Sequence, residues 1–206
     1  MKNYEHQTKS IKFHLANPKS ANFSDPGTGK SRIAIKTILE RMRREEISKT
    51  LVVCPKTVLW TWRDEIWKHA NRKCTIVTGT KKDKLDALNR NSTLFILNYE
   101  STIIKPIFQR IQDLKFDMIV WDESTYLKNH QSKRSQANYL IGKDVDFKLL
   151  LTGTPYTESL TDLYSQFKVL DGGATFGNNY YKFFRYFYMP VLRYIPGVTT
   201  MFRNSY

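Results

Sequence analysis

Acidic side chains are scarce in this chain. Its 206 residues carry 19 Asp and Glu against 33 Lys and Arg, a net charge of +14. Such an excess argues against a basic partner and makes a polyanion, nucleic acid first, the candidate to test; a basic protein without such a partner is the competing reading. Cysteine is also scarce. Cys54 and Cys74 both fall in apolar strand-like runs and read as buried core thiols, which excludes a disulfide framework. No His/Cys group has metal-ligand spacing, which excludes a zinc site of that kind. Long apolar runs are missing too. None approaches the ~20 residues that span a bilayer, and Met1-Lys2-Asn3-Tyr4-Glu5-His6-Gln7 has no apolar stretch behind it, so neither a membrane span nor a signal peptide is expected. The expected protein is soluble and intracellular: cytoplasmic in a prokaryote or virus, nuclear in a eukaryote. Internal repeats and low-complexity linkers are lacking as well.

What is present is an alternation. Apolar, nearly continuous runs of strand length occur at Thr50–Cys54, Cys74–Val77, Thr93–Asn98, Met118–Trp121 and Lys148–Thr152, with a weaker one at Ala21–Phe23. Helical patterns fall between them at Glu5–Leu15, Lys30–Glu45, Val58–His69, Lys81–Asn91, Ile103–Gln112, Ser132–Leu140 and Leu160–Leu170. Continuous apolar strands separated by helices predict an α/β fold, a mostly parallel sheet with helices on both faces. In such sheets ligands bind at the carboxyl ends of the strands. With 41% hydrophobic residues the chain suits one ample domain, or one domain plus a tail. The boundary is expected near residue 175. Beyond it, residues 176–206 are rich in Phe and Tyr and read either as a flank-packing segment or as a surface that expects a partner.

Three motifs sit at strand ends. Ser24-Asp25-Pro26-Gly27-Thr28-Gly29-Lys30-Ser31 is a phosphate-binding loop before a helical segment. Gly27 and Gly29 let the backbone curl so that amide N–H groups face phosphate oxygens. Lys30 is placed to reach the β- and γ-phosphates, and Ser31 to offer its hydroxyl to Mg²⁺. The common pattern starts with Gly where Ser24 stands. Asp122-Glu123 closes the apolar run Met118–Trp121. Asp122 suits Mg²⁺, and Glu123 suits an attacking water. Finally, Leu149-Leu150-Leu151 runs into Thr152-Gly153-Thr154-Pro155, a turn able to hydrogen-bond the carboxylates beside it. Three tryptophans, Trp60, Trp62 and Trp67, read as a helix-packing face rather than a base-stacking platform.

In order and wording these motifs resemble superfamily 2 helicases, most closely the Swi/Snf family of DNA translocases, over about residues 1–175. Tyr4-Glu5-His6-Gln7 resembles the family's adenine-reading element. Ser24–Ser31 resembles motif I, and Leu51–Leu59 with Trp62 and Glu65-Ile66 resembles motif Ia. Asn98-Tyr99-Glu100 resembles motif Ib, Asp122-Glu123-Ser124 through Leu127-Lys128-Asn129 the acidic motif II, and Thr152–Pro155 motif III. The resemblance implies a RecA-like lobe that takes ATP and Mg²⁺. ATP would lie against Gln7, Asp25, Pro26, Gly27, Thr28, Gly29, Lys30, Ser31 and Arg32. Ser31 and Asp122 would serve Mg²⁺, and Lys30, Asp122 and Glu123 catalysis. Ser124, Thr152, Gly153 and Thr154 would couple the nucleotide to motion. Pro55, Lys56, Thr57, Gly79, Asn98 and Tyr99 would contact a nucleic-acid backbone, without sequence readout, with Lys81, Lys82 and Lys84 extending the positive surface.

The sequence departs from the family at Ser24–Thr28, and at Ser124 and Tyr126, where Ala and His are usual; coupling through the His position is thereby put in question. The resemblance also implies a second RecA-like domain bearing an arginine finger. Nothing after Leu170 resembles one, and Arg185, Arg193 and Arg203 read as surface or tail residues. The expected function is the ATP-binding lobe of a DNA-dependent ATPase, duplex DNA being its partner. Its rivals are a standalone nucleotide- and DNA-binding module with little turnover, and an RNA helicase lobe.

Overall fold

The computed structural model describes residues 3–157 and 159–187. Helices and strands alternate in the order α1 (Glu5–Ala16), β1 (Lys19–Asn22), α2 (Lys30–Arg43), β2 (Thr50–Cys54), α3 (Leu59–Ala70), β3 (Thr75–Val77), α4 (Lys81–Leu88), β4 (Leu94–Asn98), α5 (Lys105–Asp113), β5 (Met118–Asp122), α6 (Lys133–Gly142), β6 (Phe147–Leu151), α7 (Asp162–Asp171) and α8 (Tyr180–Phe187). The first strand lies two residues earlier than its apolar run suggested, because Lys19 and Ser20 pair with Lys148 and Leu149 of β6 despite their polarity. Three short 3₁₀ turns, Lys56–Val58, Tyr99–Ile103 and Ser124–Leu127, follow β2, β4 and β5.

The six strands form one parallel sheet in the order β1-β6-β5-β2-β4-β3. After β1 the chain skips two places, and β5 and β6 later fill them. That return brings the strand ends of β1, β6 and β5 side by side, in the register Asn22↔Leu151↔Asp122.

Alternation along the strands sorts side chains onto two faces. Leu51, Val53, Phe95, Leu97, Ile119, Trp121 and Leu150 pack with Leu88, Ile107, Ile111, Ile141, Val169 and Leu170. Val52, Cys54, Leu94, Ile96, Met118, Val120, Leu149 and Leu151 pack with Ile35, Ile38, Leu59, Trp62 and Ile66 of α2 and α3. Parity therefore puts Asp122, two residues after Val120, on the α2/α3 face. Cys54 is buried as expected, and burial raises its thiol pKa. Cys74 is only half-buried, just before β3.

Trp62 packs in the core, but Trp60 and Trp67 are 52% and 56% exposed, which corrects the expectation that all three pack. They lie seven residues apart on the outer face of α3, opposite the buried Leu59, Trp62 and Ile66 stripe. The aromatic segment past residue 175 lies on α7 as far as it is described. Phe176 meets Phe167, and Phe183 packs against both Tyr164 and Phe176, with ring centroids 4.9–5.1 Å apart. Arg193, Arg203 and Tyr188 lie outside the described residues. Among the described residues, no helix is long and apolar enough to cross a membrane.

α1 is fastened to β1 through His14. Its Nδ1 lies 3.0 Å from Ser20 Oγ and its Nε2 3.2 Å from Ser10 Oγ. Burial, with the nearby Arg41 charge second, pushes the His14 pKa down to about 4. Below its ordinary value of 6.5 the unfolded chain binds a proton that the folded state refuses. The stability is thus fully present above pH ~6.5 and drains away as pH falls towards ~4. Urea denaturation should show a loss of about 2 kcal/mol between pH 7 and pH 5 from this group. His14→Gln should lose that much less over the same interval; an unchanged pH dependence would exclude the assignment.

Candidate nucleotide site and adjoining groove

The Ser24–Ser31 loop joins the end of β1 to the start of α2. Gly27 and Gly29 both take left-handed conformations, at φ 81° and 87°. Glycine reaches these without the Cβ penalty of other residues. Gly29 has a second constraint: a Cβ there would stand 2.7 Å from Gln7 Nε2. Gln7 is buried, and its Nε2 donates to Thr28 O at 3.2 Å while its Oε1 accepts from Tyr4 N. Gln7 thus braces the loop from α1. His6, which the motif wording did not single out, also reaches Thr28 O, at 3.1 Å.

Inside the loop, Ser24 Oγ donates to Asn22 Oδ1 at 2.6 Å and meets Thr28 Oγ1 at 2.9 Å. Ser24 therefore fixes the loop's base through a hydroxyl, which Gly cannot supply. Lys30 Nζ donates to the carbonyls of Ser24 and Asp25 at 2.9 and 3.2 Å. An ammonium folded onto main-chain oxygens of its own loop is the arrangement that an anionic oxygen can replace. Asp25, Pro26 and Gly27 are exposed at the loop's crest. Ser31 opens the first turn of α2, while Arg32 is buried with its guanidinium donating to Asn3 Oδ1 at 2.9 Å.

Asp122 ends β5. Its Oδ2 accepts from Trp62 Nε1 at 2.7 Å and its Oδ1 from the amide of Glu123 at 3.1 Å. Burial raises its pKa, the Trp62 bond opposes that, the Glu123 charge adds to it, and Lys30 opposes it. Glu123 sits at φ 51°, ψ 58°, a left-handed backbone unusual for a non-glycine residue and a form of strain that concentrates at functional sites. Its Oε2 accepts from Thr152 Oγ1 at 3.2 Å. The turn after β6 thus holds the second carboxylate, as its sequence suggested it could.

The same turn also touches the Ser24–Ser31 loop. A Cβ on Gly153 would stand 2.9 Å from Pro26 Cδ, so only glycine lets these two segments approach so closely. Thr154 N donates to Thr152 Oγ1 at 3.1 Å, while the Thr154 side chain is exposed. Ser124 is fully buried and donates to Gln166 Oε1 at 2.7 Å. Gln166 Nε2 in turn donates to Pro155 O at 2.6 Å. Gln166 of α7 thus joins the acidic strand end to the turn after β6; nothing in the motif wording marks it.

Beside this site lies an open cleft of about 550 Å³. Pro55, Lys56, Thr57, Gly79 and Asn98 line it, together with Thr78, Lys84, Glu100 and Tyr126. Five of the six residues expected at a nucleic-acid backbone share this one groove. Tyr99 stands apart. It is fully buried, its hydroxyl donates to the main-chain carbonyl of Asp122 at 2.8 Å, and burial raises its pKa. Its ring stacks on Tyr126 of the groove with centroids 5.1 Å apart. Glu100 brings an acid to the groove, paired with Arg134 at 3.1 Å. Lys81 and Lys82 are exposed at the start of α4, which Thr80 caps by accepting from Asp83 N.

The donor set fits Mg²⁺, a hard cation bound at phosphate sites by one or two carboxylates together with phosphate and water oxygens. Asp122 and the Ser31 hydroxyl are groups of that kind. Among the described residues no three His, Cys, Asp or Glu gather into a self-sufficient metal cage.

Comparison with known proteins agrees with the fold and the family resemblance. The chain is similar to the Sulfolobus solfataricus SWI2/SNF2 ATPase core solved in complex with dsDNA, with a TM-score of 0.80 and 22% identity over 89% of this chain and 38% of that one. That likeness shows the RecA-like fold. In sequence it is 33% identical to protein p41 of Acyrthosiphon pisum secondary endosymbiont phage 1, over 82% of this chain and 39% of that protein. It is 30% identical to the DNA repair and recombination protein RDH54 of Saccharomyces cerevisiae, over 70% of this chain and 16% of that protein. The chain therefore spans well under half the length of these relatives. The family model for the SNF2-related domain matches residues 6–194, nearly the whole chain, and the chain belongs to that family.

Proposed function

We propose that the chain is the ATP-binding lobe of a DNA-dependent ATPase, in which hydrolysis drives movement along a nucleic-acid backbone. One observation carries the reading: Lys30, Glu123 held by Thr152, and Asp122 meet at the carboxyl ends of three neighbouring strands, with Gly153 packed on Pro26. Lys30 exchanges the carbonyls of Ser24 and Asp25 for phosphate oxygens. Ser31 and Asp122 would hold Mg²⁺, which when bound would neutralise charge building on those oxygens. Glu123 orients the attacking water and accepts its proton as the bond to the terminal phosphorus forms and ADP leaves with the bonding pair. The arginine that completes this chemistry comes from a second RecA-like domain, in the same or another chain. The groove at Pro55, Lys56, Thr57, Gly79 and Asn98 takes a phosphate backbone, duplex DNA being preferred, with salt-dependent and sequence-independent affinity.

Nucleotide binding by the 206-residue chain tests the first step. Lys30→Ala should weaken ATP binding at least tenfold, measured by calorimetry, while the thermal melt stays within a few degrees of the parent. Equal affinity in both proteins would remove the phosphate loop from the assignment.

A further inference from the structure

Asp122 is tied to both walls of the groove, through its carboxylate on one side and its main-chain carbonyl on the other. On one wall, Lys56 and Thr57 lie in the 3₁₀ turn Lys56–Val58, which runs directly into α3. One turn into that helix, Trp62 donates its indole N–H to Asp122 Oδ2 at 2.7 Å. On the other wall, Asn98 faces the groove and its neighbour Tyr99 donates its hydroxyl to Asp122 O at 2.8 Å. Tyr126, which also lines the groove, stacks on the Tyr99 ring. Trp62 and Tyr99 are both buried, and both are rigid rings packed in a dense interior. A shift of either wall therefore moves a donor on Asp122 instead of being absorbed by a flexible side chain.

We propose that Trp62 and Tyr99 are positioning residues that transmit occupancy of the groove to the Asp122 carboxylate, and so set how well the lobe takes Mg²⁺ with its nucleotide. Trp62 sets the orientation of the carboxylate itself, and Tyr99 the main chain that carries it. Donors behind a metal-binding carboxylate typically account for 10–100-fold in metal affinity. The inference rests on the reading of the site and groove given above. Because coupling between two sites is reciprocal, a short duplex DNA should change the affinity for Mg²⁺·ADP by the same factor by which Mg²⁺·ADP changes the affinity for DNA.

The test uses the 206-residue chain, Mg²⁺, ADP and a short duplex DNA, with all affinities measured by calorimetry. Trp62→Phe keeps an aromatic ring in place but loses the donor. It should weaken Mg²⁺ binding to the ADP-loaded chain by roughly 10–100-fold. ADP binding without Mg²⁺, and DNA binding without nucleotide, should be unchanged, and the coupling factor should fall to near one. Tyr99→Phe should reduce the coupling factor with a smaller change in Mg²⁺ affinity. In the parent chain the indole N–H resonance of Trp62, identified by its loss in Trp62→Phe, should shift when DNA is added without nucleotide.

A coupling factor and Mg²⁺ affinity that survive in Trp62→Phe would overturn the relay. So would a parent chain that binds both ligands with no coupling and no shift of the Trp62 resonance; that result would leave the reading of site and groove standing. Failure to bind DNA at all would bring down the groove assignment and the relay with it. Should Trp62→Phe not fold, the Tyr99→Phe coupling factor and the parent resonance decide the matter by the same criteria.

Discussion

Glu123→Gln is expected to reduce ATP turnover by 10²–10⁴-fold while leaving nucleotide binding nearly intact. The amide keeps the size of the side chain and a hydrogen bond with Thr152, but it cannot accept the proton of the attacking water. Retained binding separates this variant from Lys30→Ala, which acts on the phosphates themselves. Turnover is to be measured with the lobe joined to a second RecA-like domain and with duplex DNA present. Turnover unchanged by both substitutions would end the assignment of this site to hydrolysis. The Glu123 backbone gives a second handle. Its left-handed conformation aims the carboxylate at Thr152, so Thr152→Val should lower turnover without greatly altering nucleotide affinity. The direction follows from the loss of a hydrogen bond that orients the base.

The largest effect on stability is expected at Trp121, which is fully buried in the centre of the sheet. Its indole N–H donates to Asn138 Oδ1 at 2.8 Å, and Asn138 Nδ2 continues to Thr102 Oγ1 at 3.0 Å. Trp121→Ala opens a cavity, a change that ordinarily costs about 3–5 kcal/mol. It also leaves a buried amide oxygen short of its donor, worth about 1–3 kcal/mol more where no water enters. A chain of this size should lose roughly 8–30 °C in melting temperature. Gly142 supplies a check on the mechanism. A Cβ there would stand 2.7 Å from Trp121 Cη2, so Gly142→Ala should be destabilising in the parent and nearly neutral in Trp121→Ala. Additive effects of the two substitutions would show that the ring does not fill this space.

Much of the fold was legible in the sequence. The runs Thr50–Cys54, Thr93–Asn98 and Met118–Trp121 are nearly continuous in apolar residues because both faces of a parallel sheet are covered, and the structure places strands at all three. The Ser24–Ser31 loop stood out because its features are local: two glycines, both left-handed in the structure, a lysine and a hydroxyl within eight residues. The 3₁₀ turns after β2, β4 and β5 were not legible, since a single short turn has no hydrophobic period to read. The two faces of α3 also escaped. A tryptophan triplet carries no mark of which ring turns inward, and helix phase buries Trp62 while leaving Trp60 and Trp67 outside.

The sequence by itself determined the α/β alternation, the glycine-containing turn at Ser24–Ser31 and the adjacent acids at the end of a strand, because each depends on residues adjacent along the chain. Only the tertiary structure decided what those groups touch. The excursion from β1 to β2, later filled by β5 and β6, sets Gly153 against Pro26, and Thr152 on β6's turn beside Glu123 after β5. Strand parity turns Asp122 towards α3 and onto the Trp62 indole, while Tyr99, placed among groove residues by its motif, is drawn inward to the carbonyl of the same aspartate. These contacts join residues 23 to 127 positions apart. Strand order and face parity fix them, and neither is encoded in any one segment.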